Sequence, residues 1–124
     1  MAQDSAKLKT LLSAAPVVPV IIHDAVATAG DLAKALVAGG LTNLEVTLRT
    51  PNALRVIEEM AKVPGAVVGS GTVRKKADMT ASVAAGCQFM VSPGAQWPCS
   101  KRQRTFRFPC CRELRHRPRR WRHR

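Results

Sequence analysis

Between residues 16 and 92, short apolar runs of strand length alternate with stripes of helical spacing, and this alternation limits the fold more than any single motif. Ahead of it, Leu8, Leu11, Leu12 and Ala15 recur at i, i+3, i+4 and i+7, one apolar helical face, with Asp4 or Ser5 as the candidate N-cap. The run PVVPVII at 16–22 is β-branched, apolar at both parities and too short for a globular helix, which predicts a strand covered on both faces. Leu32, Ala35 and Leu36 form the next helical stripe, closed by Gly39 and Gly40, where glycine suits a left-handed C-cap. A second strand is predicted over 43–49. Thr50 followed by Pro51 predicts a helix start, a capping hydroxyl and a proline at the first helical position, with Leu54, Ile57 and Ala61 continuing one face as far as Pro64 and Gly65. A third strand is expected over 66–71, a helix over 75–85 with Met79 and Val83 on one side, a stop at Gly86 and a fourth strand over 88–92. One helix, three strand–helix units and a final strand imply parallel strands joined by right-handed crossovers. Periodicity leaves open whether the sheet is flat or rolled into a barrel.

The chain has two compositions. Residues 1–95 hold nine Lys/Arg and seven Asp/Glu, and residues 96–124 hold eleven and one, so the second segment carries +10 of the formal +12. It also holds both tryptophans and three of the four cysteines but no glycine, and Leu114 is its single aliphatic residue. We expect two units, a folded α/β domain at 1–95 and an Arg-rich tail at 96–124 in which no strand or apolar helix face can be built and which is disordered in isolation. The change falls abruptly after a strand-end motif, without the Gly/Ser/Pro transition of a linker, and fits a reading-frame slip in a GC-rich gene. Read as genuine, the tail's arginines interleaved with Trp97, Phe106, Phe108 and Trp121 would suit non-specific binding of single-stranded nucleic acid. Its cysteines and histidines do not have zinc spacing: Cys110 and Cys111 are adjacent and His116 lies too far from His123. The single body cysteine, Cys87, argues for a reducing cytoplasm, and no run is long and apolar enough for a signal peptide or a membrane span.

Alternation along 43–49 sets Glu45, Thr47 and Arg49 on one face and Leu44, Val46 and Leu48 on the other. An amphipathic strand with one wet face accounts for this on pattern alone. The neighbouring strands are apolar at both parities, so this strand should be internal, and an inward-facing carboxylate then becomes an equally good reading. GSGT at 69–72 ends the third strand; Arg74 occupies the place of a third glycine, so a dinucleotide fingerprint fails, and the motif is either a tight turn or a close approach to a ligand. SPG at 92–94 closes the fourth strand in a similar way.

Taken together, PVVPVI at 16–21, KALVAGG at 34–40, LEVTLRT at 44–50, VGSGTV at 68–73 and QFMVSPG at 88–94 resemble, in order and spacing, the bacterial 2-dehydro-3-deoxy-phosphogluconate (KDPG) and 4-hydroxy-2-oxoglutarate (KHG) aldolases over about residues 8–95. The resemblance implies an α/β fold, the N-terminal half of a (β/α)8 barrel with four parallel strands, because 124 residues fall short of the roughly 200 that eight strand–helix units need. It implies a class I aldolase, trimeric and without metal or cofactor, in which a lysine forms a Schiff base with a 2-oxo acid such as pyruvate. Glu45 then matches the proton-shuttling carboxylate, Arg49 and Thr72 the residues that hold the pyruvate carboxylate, and Pro93 the pocket wall. The chemistry suits them, since iminium formation and carbon–carbon cleavage both need protons moved, and a guanidinium fork fits a carboxylate. The family's lysine lies on the sixth strand in a stretch like FKFFP. The tail's TFRFP at 105–109 imitates it only superficially, offering an arginine that cannot form an imine. Lys34 and Lys62 are expected in helices, with Lys75 and Lys76 opening another, so no Schiff-base lysine is assigned and the chain alone is expected to be inactive.

Overall fold

The computed structural model describes residues 5–93 and the backbone of 110–112. Helix α1 (Ser5–Ser13) precedes β1 (Val20–Ile21), α2 (Val26–Ala38), β2 (Asn43–Thr47), α3 (Ala53–Ala61), β3 (Val67–Gly71), α4 (Lys76–Ala84), β4 (Phe89–Ser92) and β5 (Cys110–Arg112). The strands are all parallel and lie in the order β1-β2-β3-β4-β5. A doubly wound sheet reverses its winding at a switch point and puts helices on both faces. Here the order never reverses, so right-handed crossovers stack successive helices on one face, the arrangement of a barrel wall.

The core lies between that face and the helices. Leu44 and Val46 of β2 and Val68 of β3 are fully buried against Ala29 and Ala33 of α2 and Val56, Ile57 and Met60 of α3. The packed face of α2 thus runs through Ala29, Leu32, Ala33, Leu36 and Val37, and the expected member Ala35 is exposed. Helix α2 ends in the expected glycines. Gly40 takes φ 87°, its N–H bonds the Val37 carbonyl at 2.9 Å, and the Leu41 N–H reaches back to the Leu36 carbonyl at 2.9 Å. These two bonds satisfy carbonyls that a helix end otherwise strands, and they turn the chain into β2.

Three expectations are corrected. First, β1 occupies only Val20–Ile21 of the run 16–22, because Pro16 and Pro19 have no N–H for a ladder; the Pro19 carbonyl still accepts from the Glu45 N–H at 3.0 Å. Second, α3 begins at Ala53 with Asn52 as its cap, not at Thr50–Pro51: Thr50 donates its hydroxyl to the His23 carbonyl at 3.1 Å instead. Third, the tail does contribute a strand, β5, pairing with β4 from Met90↔Cys110 to Ser92↔Arg112. Parallel pairing draws on backbone N–H and C=O groups, so the lack of aliphatic side chains did not forbid it. The disorder expected of the tail concerns residues that otherwise lie outside those described.

Candidate active site at the strand ends

The face of the sheet turned away from the helices carries Val20 and Ile22 near one edge, Glu45 and Thr47 on β2, Gly69 and Gly71 on β3, and Phe89 on β4. Parallel register aligns Val20 with Glu45, Glu45 with Gly69, Thr47 with Gly71, and Gly69 with Phe89. At the β1 edge this side is open, with Val20 63% and Ile22 61% exposed, whereas at its lower end the buried Asn43 donates to the Leu11 carbonyl of α1 at 2.8 Å.

Two glycines give this face its shape. A Cβ on Gly71 would collide with the Glu45 carboxylate, and one on Gly69 would collide with the Phe89 ring. Glu45 therefore leans from β2 across the end of β3, and Phe89 leans in from β4 one step below. A glycine inside a strand weakens it unless another group approaches closely, which is what happens at both positions. Thr47, buried beside them, donates its hydroxyl to the Ile21 carbonyl at 3.3 Å and ties β2 to β1.

Immediately after Gly71, Thr72 adopts φ 62°, the one non-glycine residue with positive φ among those described. A β-branched residue in the left-handed region is strained by about 1–3 kcal/mol, and such strain concentrates at binding and catalytic positions. Beyond it, the Val73 N–H bonds the Val91 carbonyl of β4 at 3.2 Å. Thr72 is thus a kink just past the end of β3, followed by one further backbone bond to β4. Its side chain is half-buried and lies next in sequence to the glycine that seats Glu45.

Arg49 and Pro93 sit at the rim. The last rung between β2 and β3 is the Leu48 N–H to the Gly71 carbonyl at 2.9 Å, after which the Arg49 N–H turns back to the Thr47 carbonyl at 2.8 Å. Arg49 is consequently exposed in a turn beyond the strand, and the strand alternation that grouped it with Glu45 and Thr47 does not set its direction. Pro93 is exposed in the bend that follows β4. Arg49, Thr72 and Pro93 therefore lie just past the C-terminal ends of β2, β3 and β4, and Glu45, from the middle of β2, brings its carboxylate to the β3 end at Gly71.

The lysines differ in kind. Lys34 on α2 pairs with Asp31 at 3.1 Å, and Lys62, one residue past α3, pairs with Glu59 at 2.6 Å, both at the surface. Lys75 caps α4 and Lys76 is its first residue, both exposed, while Asp78 accepts from the Arg74 and Lys75 N–H groups at 3.0 and 2.9 Å. No lysine among the described residues lies on a strand. Cys87 is no nucleophile either: it is buried on the helix side of the sheet, and desolvation pushes its thiol up to about 11, with the nearby Ser70 hydroxyl offsetting part of the rise.

Sequence reasoning set Thr47 on the face of Glu45 but missed its bond to β1, and it missed Phe89 and the seating role of Gly71. The signal for the last was present, because glycines at 69 and 71 fall on the same face of one strand.

A family model described as KDPG and KHG aldolase matches residues 8–112, past the compositional break near residue 95. The 2-dehydro-3-deoxy-phosphogluconate aldolase of Zymomonas mobilis is 52% identical over 87 residues, 70% of this chain and 42% of that protein. The KHG/KDPG aldolase of Escherichia coli is 47% identical over 94 residues, 75% of this chain and 44% of that protein. Among solved structures, the KDPG aldolase of Legionella pneumophila, with pyruvate captured as a covalent carbinolamine, superposes with a TM-score of 0.73 at 38% identity, covering 81% of this chain and 49% of that one. The chain thus spans less than half the length of these relatives.

Proposed function

This chain belongs to the KDPG and KHG aldolase family, and on that premise we propose that it supplies the acid–base and carboxylate-binding part of a class I aldolase site but not its nucleophile. The reaction would be cleavage of 2-dehydro-3-deoxy-6-phosphogluconate to pyruvate and glyceraldehyde 3-phosphate, and of 4-hydroxy-2-oxoglutarate to pyruvate and glyoxylate. The single observation that carries the reading is Glu45 lying across Gly71 beside the strained Thr72.

In this reading the Arg49 guanidinium and the Thr72 hydroxyl hold the 2-oxo acid carboxylate, and Pro93 walls the pocket. Glu45 takes the proton from the hydroxyl next to the bond that breaks and returns a proton to the carbon that becomes the pyruvate methyl group. A carboxylate is the right group for this, since both transfers need one atom that can accept and then give. The amine for the Schiff base would have to come from a strand-borne lysine, and the described lysines sit on or beside helices at the surface. The 124-residue chain alone is accordingly without turnover. A homotrimeric assembly of the whole enzyme and a cytoplasmic setting belong to the same proposal; for the described residues, no helix is long and apolar enough to cross a membrane.

Titrating the isotopically labelled chain with pyruvate tests the clamp. Backbone amide signals of Arg49 and Thr72 are expected to shift and saturate, and Arg49→Ala to weaken binding by about tenfold or more, the worth of one charged hydrogen bond. Shifts confined to the helix lysines, or an Arg49→Ala chain that binds as before, would refute the assignment.

A second reading rests on the charge of residues 96–124, eleven Lys/Arg against one acid. Oligonucleotide binding that falls steeply with salt and disappears when 96–124 are deleted would favour it.

A further inference from the structure

The turn that carries Arg49 is fastened to the neighbouring strand-to-helix loop. Thr50 Oγ1 donates to the His23 carbonyl at 3.1 Å, the Asn52 N–H donates to Asp24 Oδ1 at 3.1 Å, and Asn52 Nδ2 donates to the Asp24 carbonyl at 3.3 Å. Asn52 is the cap residue of α3, its side chain makes no capping bond to its own helix, and the first turn of α3 has no acidic residue. Asp24, twenty-eight positions earlier in sequence, brings a carboxylate to that helix end instead, where the unpaired N–H groups and the helix dipole both favour negative charge.

The same bonds determine where Arg49 starts from. On one side its backbone is anchored to the β2–β3 ladder through the Leu48 N–H and to Thr47 through its own N–H. On the other side Pro51 has a fixed φ, and Asn52 is held by Asp24. Without the Asp24 carboxylate the Asn52 N–H loses its acceptor, and the stretch 48–52 keeps the ladder at one end, the Thr50 hydroxyl bond and the longer bond from Asn52 Nδ2 to the Asp24 carbonyl at 3.3 Å. A long guanidinium side chain magnifies any such displacement at its tip, and an ångström there matters for a two-point carboxylate contact.

We propose that Asp24 is a positioning residue: acting through Asn52, it fixes the 48–52 turn and with it the point from which Arg49 reaches a 2-oxo acid carboxylate. The inference rests on the reading of Arg49 as the carboxylate clamp. Neither Asp24 nor Asn52 is expected to touch the ligand.

The test is the pyruvate titration on the full chain with Asp24→Ala, Asp24→Asn and Arg49→Ala. Asp24→Ala should raise the pyruvate Kd about fivefold, the worth of one ordinary hydrogen bond. Asp24→Asn keeps an oxygen that can accept from the Asn52 N–H and should bind like the unaltered chain. Asp24→Ala, which loses an acceptor at the α3 N-terminus, should melt a few degrees below the parent and stay folded at the titration temperature, while Asp24→Asn, which keeps the acceptor, should melt close to the parent. If Arg49→Ala loses binding while Asp24→Ala binds normally, or if Asp24→Asn is as weak as Asp24→Ala, the positioning role is wrong and the clamp survives. If Arg49→Ala binds normally, or the unaltered chain shows no saturable pyruvate binding, the clamp reading itself fails.

Discussion

Joining residues 1–93 of this chain to the remaining part of the Zymomonas mobilis relative is expected to give a working aldolase whose kcat falls by about 10²–10⁴ on Glu45→Gln. The substitution preserves the shape that packs over Gly71 and removes only the ability to take and give a proton. A loss in kcat with KM nearly unchanged is the pattern of a group that acts in the transition state rather than in binding. Steady-state kinetics of the hybrid pair decide it. An unchanged kcat would remove Glu45 from the chemistry and leave its contact with Gly71 as packing.

Leu44→Ala is expected to destabilise the chain by about 3–5 kcal/mol, a large share of the 5–15 kcal/mol of a typical domain, whereas Val20→Ala should change stability by no more than about 0.5 kcal/mol. Both residues are strand aliphatics, but Leu44 is enclosed between the sheet and the helix layer while Val20 is exposed at the sheet edge. Removing the buried side chain leaves a cavity; removing the exposed one does not. Urea denaturation of the two variants reads the difference. Equal losses would mean that Val20 is enclosed as thoroughly as Leu44, contrary to its 63% exposure.

Much of this arrangement is legible in the residues themselves. The alternation of Leu44 and Val46 with Glu45 and Thr47 separates the helix side of β2 from the other, because a strand's period of two is rigid. Gly40 marks the end of α2 because few other residues tolerate its φ. What local pattern could not reveal depends on partners distant in sequence. The signal at Thr50–Pro51 is a sound helix start, yet the helix begins at Ala53 because residues from the β1–α2 loop capture Thr50 and Asn52. Arg49 leaves the face of Glu45 because the ladder stops at Leu48, which alternation within one strand cannot foretell. Strand β5 was missed because side-chain composition was used to judge a pairing made by backbone. The roles of Glu45, Arg49, Thr72 and Pro93 were suggested by motif resemblance, and the geometry adds that Glu45 requires Gly71 to be bare and that Thr72 is strained.

The division of labour proposed for this chain can be tested by borohydride reduction in the presence of labelled pyruvate, applied to the 124-residue chain and to the hybrid with the Zymomonas mobilis relative. The account predicts that the chain alone remains unlabelled and that the hybrid carries one label on a lysine outside residues 1–93. Label on Lys75, Lys76 or any other lysine of the chain alone would show that it holds its own nucleophile and would contradict the account.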